Sequence, residues 1–297
     1  MMQNKDYSQR FIFENYAIRG ESVHLERSYQ TLLSKNAYPL VVQRLLGELV
    51  CAAVMLSSML KFKGHLAIHA KSEGPVQMLV AECSESAGIR AVAHLHPDAS
   101  FTEHDSLHTL LPEGILVISI QPAQGRQYQG VVPLTGDALS HCLELYFQQS
   151  EQLATRIYLT ANGETASGLL LQHLPSELSV EDTALHWQHA TVLADTVRDA
   201  ELLELSTEAL LRRLFAEEVL RLFEQRPVTF YCRCSREKTE FALSVMERAE
   251  LEEIIAQKTR ITVDCQFCCT RYEFSRRDLD SILGLASPVT QNQCVLH

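Results

Sequence analysis

The feature that most constrains how this chain can fold is a pair of cysteine motifs, Cys232-Arg-Cys234 and Cys265-Gln-Phe-Cys268. Four thiolates in two close pairs can converge on a single tetrahedral Zn²⁺ ion. Thirty residues separate the two pairs, which is longer than a usual zinc-ribbon loop, so the intervening chain must form an element of its own. We therefore predict that residues 232–297 form a small C-terminal zinc module with a tail.

The sequence around each pair favours a metal site over a catalytic redox pair. The pattern over Lys238–Gln257 predicts a helix between the pairs, and the strand-like Arg260–Val263 leads into the second pair. A thioredoxin-like CxxC motif would instead open a helix, whose N-terminus lowers the thiol pKa. Because the strand-like run RYEF follows the second pair, a thiol–disulfide oxidoreductase is disfavoured.

A module of this size should depend on its metal. The 56 residues from Cys232 to Ser287 can build only a marginal core. Structural zinc contributes on the order of 10–16 kcal/mol of binding free energy to the folding of such modules. Oxidation of the ligands to disulfides would remove them from the metal. The sequence thus predicts a switch in which zinc-bound thiolates sense oxidants and unfolding is the response.

The other cysteines and a histidine-rich segment are assigned no chemistry. Cys51, Cys83 and Cys142 stand in apolar surroundings and are expected in the core, whereas Cys294 lies in a polar tail. The segment HLHPDASFTEHDSLH is more typical of a solvated loop than of a metal site; its histidines are His94, His96, His104 and His108. No phosphate loop, nucleophile elbow or HExxH motif occurs, so we expect no enzyme activity.

Residues 1–175 mix strand-like runs with two helical stretches and show no steady alternation, which predicts an α+β domain. The expected helices are Leu40–Leu60 and Asp137–Leu153, with Asp137 as N-cap of the second. The first helix has only about a dozen consecutive uncharged residues, too few to span a bilayer, so we expect it to be buried. The expected strands are Phe11–Tyr16, His65–Ala70, Val76–Ala81, Ile115–Ile120 and Arg156–Thr160.

Residues 176–231 are predicted to form a helical linker. Apolar residues recur at three- and four-residue spacing from Leu210 to Phe223. Between Ser176 and Arg226, eleven acidic residues stand against five arginines, a net charge of −6 out of −11 for the chain. One interpretation is an ordinary helical hairpin with a solvated face. The other is a segment whose apolar stripe can detach from its partner, and the pattern alone does not choose.

The charge balance limits the partners and the compartment. With 26 basic and 37 acidic side chains, the chain lacks the basic surface that nucleic acids and anionic membranes attract. Even Cys232–Ser287 has nine basic and ten acidic residues. The N-terminus shows no apolar stretch of signal-peptide length. We expect a cytoplasmic protein with no nucleic-acid or membrane partner.

The motifs FIFENYAIRGESVHLERSY and YFQQSEQ in the first part of the chain, with CRCSREK and CQFCCTRYEF in the last, resemble a known family. It is the family of bacterial redox-regulated chaperones of the heat-shock protein 33 type, and the resemblance covers essentially the whole chain. It implies an ATP-independent holdase that binds unfolding client proteins under oxidative stress. It also implies that residues 1–175 serve client binding and dimerisation, with a homodimer when oxidised and a monomer when reduced.

The resemblance also assigns roles to the cysteines. It implies that one zinc ion is held in the reduced form by Cys232, Cys234, Cys265 and Cys268. On oxidation, Cys232 would pair with Cys234 and Cys265 with Cys268, zinc would leave, and the module would unfold. The linker would then lose its packing, and the stripe around Leu210–Phe223 would form part of the uncovered surface.

One position departs from the family pattern. Where relatives commonly have glycine after the last ligand, this chain has Cys269, which adds strain if φ is positive there. Its thiol could compete as a ligand or a disulfide partner, although we expect Cys265 to remain the partner of Cys268. The competing hypothesis for the whole chain is a constitutive zinc-dependent interaction module without redox switching.

Overall fold

A computed structural model of the chain describes residues 5–59, 64–175, 179–246, 252–254 and 260–285. Contacts within the chain divide it into two units, Met1–Tyr231 and Cys232–His297. The predicted α+β class is confirmed, since each unit combines helices with antiparallel strands.

A single long helix forms the centre of the first unit. Helix α2 (Leu40–Met59) is buried on nearly every side, because its sequence is rich in alanine, valine and leucine all round. At Gly47 a Cβ atom would lie 2.7 Å from that of Ala161, so the small residue permits close contact with a neighbouring strand. Among the described residues, α2 has the length and composition of a membrane span. Most of it is buried within the protein, as in a core helix.

Two six-stranded sheets pack against α2. In the first sheet the order is β10-β1-β2-β9-β8, with β11 also paired to β1. Its strands are β1 (Tyr7–Phe13), β2 (Ile18–Leu25), β8 (Thr155–Ala161), β9 (Ala166–His173), β10 (Leu220–Leu222) and β11 (Arg226–Pro227). All of these pairs are antiparallel.

In the second sheet the order is β12-β5-β4-β3-β6-β7, and only the short β12 pairs in parallel. Its strands are β3 (Gly64–Lys71), β4 (Val76–Ser84), β5 (Gly88–Leu95), β6 (Ile115–Pro122), β7 (Tyr128–Pro133) and β12 (Thr229–Phe230). Short helices α1 (Arg27–Leu33) and α3 (Leu107–Leu110) complete this part of the unit.

Most predicted elements of residues 1–175 are confirmed with shifted ends. The predicted strand Phe11–Tyr16 has the wrong bounds. The observed strand β1 begins at Tyr7 and ends at Phe13, and the chain bends after it. The helix predicted over Asp137–Leu153 is α4 (Leu139–Tyr146), followed by a π-helical turn, Phe147–Glu151. Asp137 is not the cap, since the N-cap position is Ala138 and no side chain caps it.

The linker covers the face of the first sheet that points away from α2. Its helices are α5 (Val180–Ala194), α6 (Asp199–Glu204) and α7 (Thr207–Leu214). Ser179 and Ser206 cap α5 and α7 by accepting backbone N–H groups, as expected for helix starts. Apolar linker side chains pack on the sheet residues; the cluster comprises Phe11, Phe13, Ile18, Leu169, Leu171, Ala190, Ala194, Leu202, Leu210, Leu211, Leu214 and Phe215.

The helical pattern predicted from Leu210 to Phe223 is confirmed only as far as Leu214. Helix α7 ends at Leu214, a turn follows, and Leu220–Leu222 pairs with β1. The Leu-Arg-Leu segment also has the two-residue period of a strand, with Arg221 pointing outward, so both periods fit this short sequence. Pairing with the exposed edge of β1 decides in favour of the strand.

The second unit contains a two-stranded sheet and short helices. Strands β13 (Arg260–Asp264) and β14 (Arg271–Ser275) pair antiparallel, and helices α8 (Arg236–Ser244) and Arg276–Leu285 flank them. The helix predicted over Lys238–Gln257 is shorter than expected, since α8 ends at Ser244; residues 247–251 and 255–257 lie outside the described part. The small core comprises Leu243, Ile261, Phe274, Leu279 and Ile282.

Candidate metal centre

An irregular segment carries the first cysteine pair, and a hairpin turn carries the second. The first pair lies directly before α8, whose N-cap Ser235 accepts a hydrogen bond from the Lys238 backbone N–H at 3.3 Å. The second pair occupies the turn between β13 and β14. There the Cys269 N–H donates to the Cys265 carbonyl at 2.8 Å. The helix start and the hairpin thus fix the backbone of both pairs.

The two pairs converge to form one cluster. Cys232 Sγ lies 3.7 Å from Cys265 Sγ, and Cys234 Sγ lies 3.4 Å from Cys268 Sγ. All four sulfur atoms lie within 4.8 Å of one another. Four sulfurs held tetrahedrally at the Zn–S bond length would be about 3.8 Å apart. Four half-buried thiols at this spacing fit a zinc site with four cysteine ligands, and no other such group occurs among the described histidine, cysteine and acidic residues.

The ionisation of the thiols is uneven. Burial raises the pKa of Cys265 and of Cys234, because a thiolate is poorly solvated there. Burial acts in the same direction on Cys268, but hydrogen bonds from the Thr270 hydroxyl and backbone N–H and from neighbouring thiols lower its pKa to about 6. Cys268 therefore ionises more readily than Cys234 and Cys265. A divalent cation would favour the thiolate form of all four.

Two hydroxyl groups that the sequence did not predict lie against the cysteine cluster. The Tyr272 hydroxyl donates to Cys234 Sγ at 3.1 Å, and the Thr270 hydroxyl lies 3.2 Å from Cys268 Sγ. Their signal in the sequence is their position two and four residues after the last ligand, at alternate positions along a strand. That signal is weak, because the facing of a strand is unknown before its partner is known.

Cys269 lies beside the cluster without joining it. Its φ angle is 58°, so the expected positive φ is present at this non-glycine position. The side chain is exposed, and its sulfur is outside the group formed by the four neighbouring cysteines. The turn directs Cys268 inward and Cys269 outward.

The remaining cysteines fall where the sequence predicts or outside the described part, whereas the histidine segment is not the simple loop that the sequence predicts, since His94 lies in β5 and His108 in α3. Cys51, Cys83 and Cys142 are buried in the first unit, as expected. Burial raises the pKa of Cys51 and Cys83, which makes them inert thiols at neutral pH. Cys294 lies outside the described residues. The four histidines of residues 94–108 are split between β5, a loop and α3, and they form no metal group there.

The second feature of interest is the sheet face that the linker covers. Phe11 and Phe215 are completely or almost completely buried, and the ring of Phe215 stands edge-on to Phe13 at 5.0 Å. Polar contacts also cross this interface. Thr207 Oγ1 bonds to Ser22 Oγ at 3.1 Å, and Arg156 pairs with Asp195 at 2.9 Å.

Comparison with known proteins gives matches over nearly the whole chain. The family model described as Hsp33 protein matches residues 6–275. The chain is 44% identical over 286 residues to the 33 kDa chaperonins of Azotobacter vinelandii and Pseudomonas aeruginosa, covering 95% of this chain and 96% of each relative. It is 42% identical over 281 residues to the 33 kDa chaperonin of Shewanella sediminis.

A solved structure has the same fold. The crystal structure of the 33 kDa chaperonin, a heat shock protein 33 homologue, from Thermotoga maritima superimposes with a TM-score of 0.81. The match covers 94% of this chain and 98% of that one, at 20% sequence identity. At this identity the likeness shows the fold alone.

Proposed function

Since this chain belongs to the Hsp33 family, we propose that it is a chaperone activated by oxidation, an ATP-independent holdase for unfolding proteins. The chaperone function follows from the family, and client proteins with exposed apolar segments are the partners it implies. The proposal adds the trigger, the zinc ion and the part of the molecule that moves. We place it in the cytoplasm, where thiols are kept reduced until oxidants appear.

The observation that carries the proposal is the four-thiol cluster at tetrahedral spacing. Cys232, Cys234, Cys265 and Cys268 would hold one Zn²⁺ in the reduced protein. The ion would neutralise the charge of the thiolates and link the two cysteine pairs to each other. The five buried side chains of the module core are too few to stabilise the module alone.

Oxidation would remove the ligands in pairs. We propose disulfides between Cys232 and Cys234 and between Cys265 and Cys268, so that each disulfide joins the two members of one cysteine pair. A disulfide sulfur carries no negative charge and no longer serves as a zinc ligand. Without the cross-link, the module would unfold, and this is the response of the switch.

Unfolding of the module would destabilise the linker that covers the first sheet. The linker, predicted over residues 176–231, carries a large acidic excess, and its described part packs on the sheet through an apolar stripe. On release, Leu210, Leu211, Leu214 and Phe215 would leave Phe11 and Phe13 exposed. Two apolar surfaces would then be available to clients, while the linker's charges keep the protein soluble. We propose a homodimer in this oxidised state and a monomer in the reduced state.

The proposal is tested by zinc release and client aggregation. Reduced protein is treated with hydrogen peroxide under mild heat, and zinc is measured with a chromogenic chelator. Light scattering of a denatured client is recorded with protein taken before and after treatment. We expect about one zinc released per chain and suppressed aggregation only after oxidation.

The same experiment separates the competing functions. A constitutive zinc-dependent interaction module would retain zinc in peroxide and gain no client binding. A thiol–disulfide oxidoreductase would turn over substrate disulfides with a catalytic amount of protein, which we do not expect from thiols shielded in a metal cluster. Either result would contradict the proposed switch.

A further inference from the structure

Two hydroxyl groups at the start of strand β14 lie against the cysteine cluster. Thr270 directly precedes the strand and Tyr272 is its second residue, so the two side chains are two positions apart and share one face. The Tyr272 hydroxyl donates to Cys234 Sγ at 3.1 Å, and the Thr270 hydroxyl lies 3.2 Å from Cys268 Sγ. One sulfur of each cysteine pair thus has a hydroxyl partner.

These two sulfurs are also neighbours across the cluster, 3.4 Å apart. When they are thiolates they can only accept hydrogen bonds, so both hydroxyls act as donors. A donor withdraws negative charge from sulfur and fixes its orientation. Less charge makes the thiolate a poorer nucleophile toward an electrophilic oxidant.

We propose that Tyr272 and Thr270 are positioning residues that restrain the oxidation of Cys234 and Cys268 and so set the oxidant level at which the protein responds. The inference rests on the proposed redox function and deepens it. It concerns the reaction with peroxides, in which a thiolate must attack oxygen. The hydroxyls do not react; they act through the sulfurs that they contact.

The step that they restrain is a two-electron oxidation. The Cys234 thiolate attacks one oxygen of H₂O₂, the O–O bond breaks, and a sulfenic acid and hydroxide form. The Cys232 thiolate then attacks that sulfur, forming the S–S bond and expelling a second hydroxide. Two protons from solvent convert both hydroxides to water. In total, the two thiolates lose two electrons, and hydrogen peroxide gains them. Cys268 and Cys265 react in the same way.

The hydroxyl groups can be removed with little change in packing. The Tyr272 ring packs at the edge of the module core, and Tyr272→Phe keeps that ring. Thr270 is exposed, so Thr270→Val leaves no cavity, and Thr270→Ser retains the hydroxyl. Thr262→Val is a matched control, because Thr262 is an exposed strand residue of the same module, paired with Glu273.

The experiment uses the reduced, zinc-loaded full-length protein. The rate of zinc release in hydrogen peroxide is measured for the wild type and the four variants. In a second measurement without oxidant, iodoacetamide alkylation of each cysteine is followed by mass spectrometry. The thermal midpoint of each variant is recorded, since a merely structural effect would lower it.

We expect faster zinc release from Tyr272→Phe and Thr270→Val. A thiolate that loses a hydrogen-bond donor becomes more nucleophilic, by roughly threefold for each log unit of basicity that the sulfur regains. Alkylation should accelerate at Cys234 in the first variant and at Cys268 in the second, with unchanged thermal midpoints. Thr270→Ser and Thr262→Val should behave as the wild type.

Equal rates for Tyr272→Phe, Thr270→Val and the wild type would overturn the inference while leaving the switch intact. A change in rate that follows a lowered thermal midpoint would also overturn it, because the residues would then act on folding. If the wild type itself retains zinc in peroxide, the proposed function fails, and the alkylation pattern still decides whether the hydroxyls damp the thiolates.

Discussion

Cys269 shows how one residue can depart from a motif without entering its chemistry. The turn after Cys268 requires a φ of 58° at this position, a conformation that costs a non-glycine residue roughly 1 kcal/mol. The same conformation turns the Cys269 side chain outward, away from the sulfur group. The local backbone therefore decides which of two adjacent thiols can serve as a ligand.

At this residue we predict the disulfide pattern of the oxidised protein. Cys265 should be the main partner of Cys268, because a disulfide between adjacent residues is sterically poor. Peptide mapping after peroxide treatment measures the pairing, and Cys269→Ala should release zinc as fast as the wild type. A dominant disulfide that contains Cys269 would show that the exposed thiol competes after all.

Glu21 is a second residue whose environment carries a consequence. It is completely buried in β2, where Ser58 on α2 donates a hydrogen bond to Oε2 at 2.8 Å. The Ser8 hydroxyl is a second polar neighbour of this carboxyl group. Burial raises the pKa of Glu21 to about 7, because the charged form is poorly solvated there.

This pKa shift predicts a pH dependence of stability. The folded pKa lies above the unfolded value of 4.5, so the unfolded state releases its proton first. Stability should therefore fall as pH rises from about 4.5 to 7, by about 3 kcal/mol in total, and then level off. Glu21→Gln should remove this part of the slope and stabilise the protein at pH 8.

Urea denaturation at pH 5.5 and pH 8 measures this effect. The exposed Glu73→Gln is the matched control and should keep the wild-type slope. An unchanged pH slope in Glu21→Gln would mean that Glu21 is solvated or paired in the folded protein.

At the scale of elements, the linker segment from Thr207 to Leu222 is the part where local pattern and tertiary structure differ. It begins as helix α7, which buries Leu210, Leu211 and Leu214, and it ends as strand β10 on the edge of the first sheet. The helix is held by apolar packing and the strand by backbone hydrogen bonds with β1. Both contacts must break before the covered sheet face is exposed.

Loosening α7 without oxidation should therefore expose that face. Leu211 is 1% exposed, and Leu211→Ala should weaken the packing of α7 by about 2–5 kcal/mol. We expect increased binding of an apolar fluorescent dye and partial suppression of client aggregation by the reduced protein. Leu185→Ala is the control, because Leu185 on α5 is 62% exposed.

Zinc content is measured in parallel for both variants. If Leu211→Ala binds no more dye than Leu185→Ala while both retain zinc, loosening α7 does not expose the face. If it binds more dye but does not suppress aggregation, the covered face is not the surface that clients bind.

At the scale of the whole molecule, the two units differ in how they are stabilised. The first unit has a central helix between two sheets and an extensive buried core. Among its described residues, the second has a core of five buried apolar side chains and the cysteine cluster. A metal that contributes on the order of 10 kcal/mol would therefore dominate the folding of the second unit and be irrelevant to the core of the first.

Metal removal should unfold the second unit and leave the core of the first unit, around α2, folded. We expect a strong chelator under reducing conditions to abolish amide protection from hydrogen exchange in β13, β14 and α8, while α2 and β3 stay protected. Hydrogen-exchange mass spectrometry measures this, and re-addition of zinc should restore the protection. Retained protection in β13 and β14 after complete metal removal would show that the module folds without a metal.

Much of this organisation is predictable because it depends on local pattern. The apolar stretch of α2 and the strand-like runs of β3, β4 and β6 are readable because their burial follows from their own composition. The Tyr272 hydroxyl and the buried Glu21 are not readable, since each depends on what lies across a strand pair or a helix–sheet contact. The end of α7 at Leu214 depends on the edge of β1 to which β10 pairs, and β1 is far away in sequence.

The sequence by itself determined the donor set of the cluster, the buried central helix, the acidic linker and the family. These are properties of residue type, spacing and periodicity, which are local in the chain. Only the tertiary structure decided that the four sulfurs converge, that Tyr272 and Thr270 face them, and that the linker's stripe divides into a helix and a strand. Those features depend on which surfaces meet, because hydrogen bonds and burial are set by neighbours in space and not by neighbours in sequence.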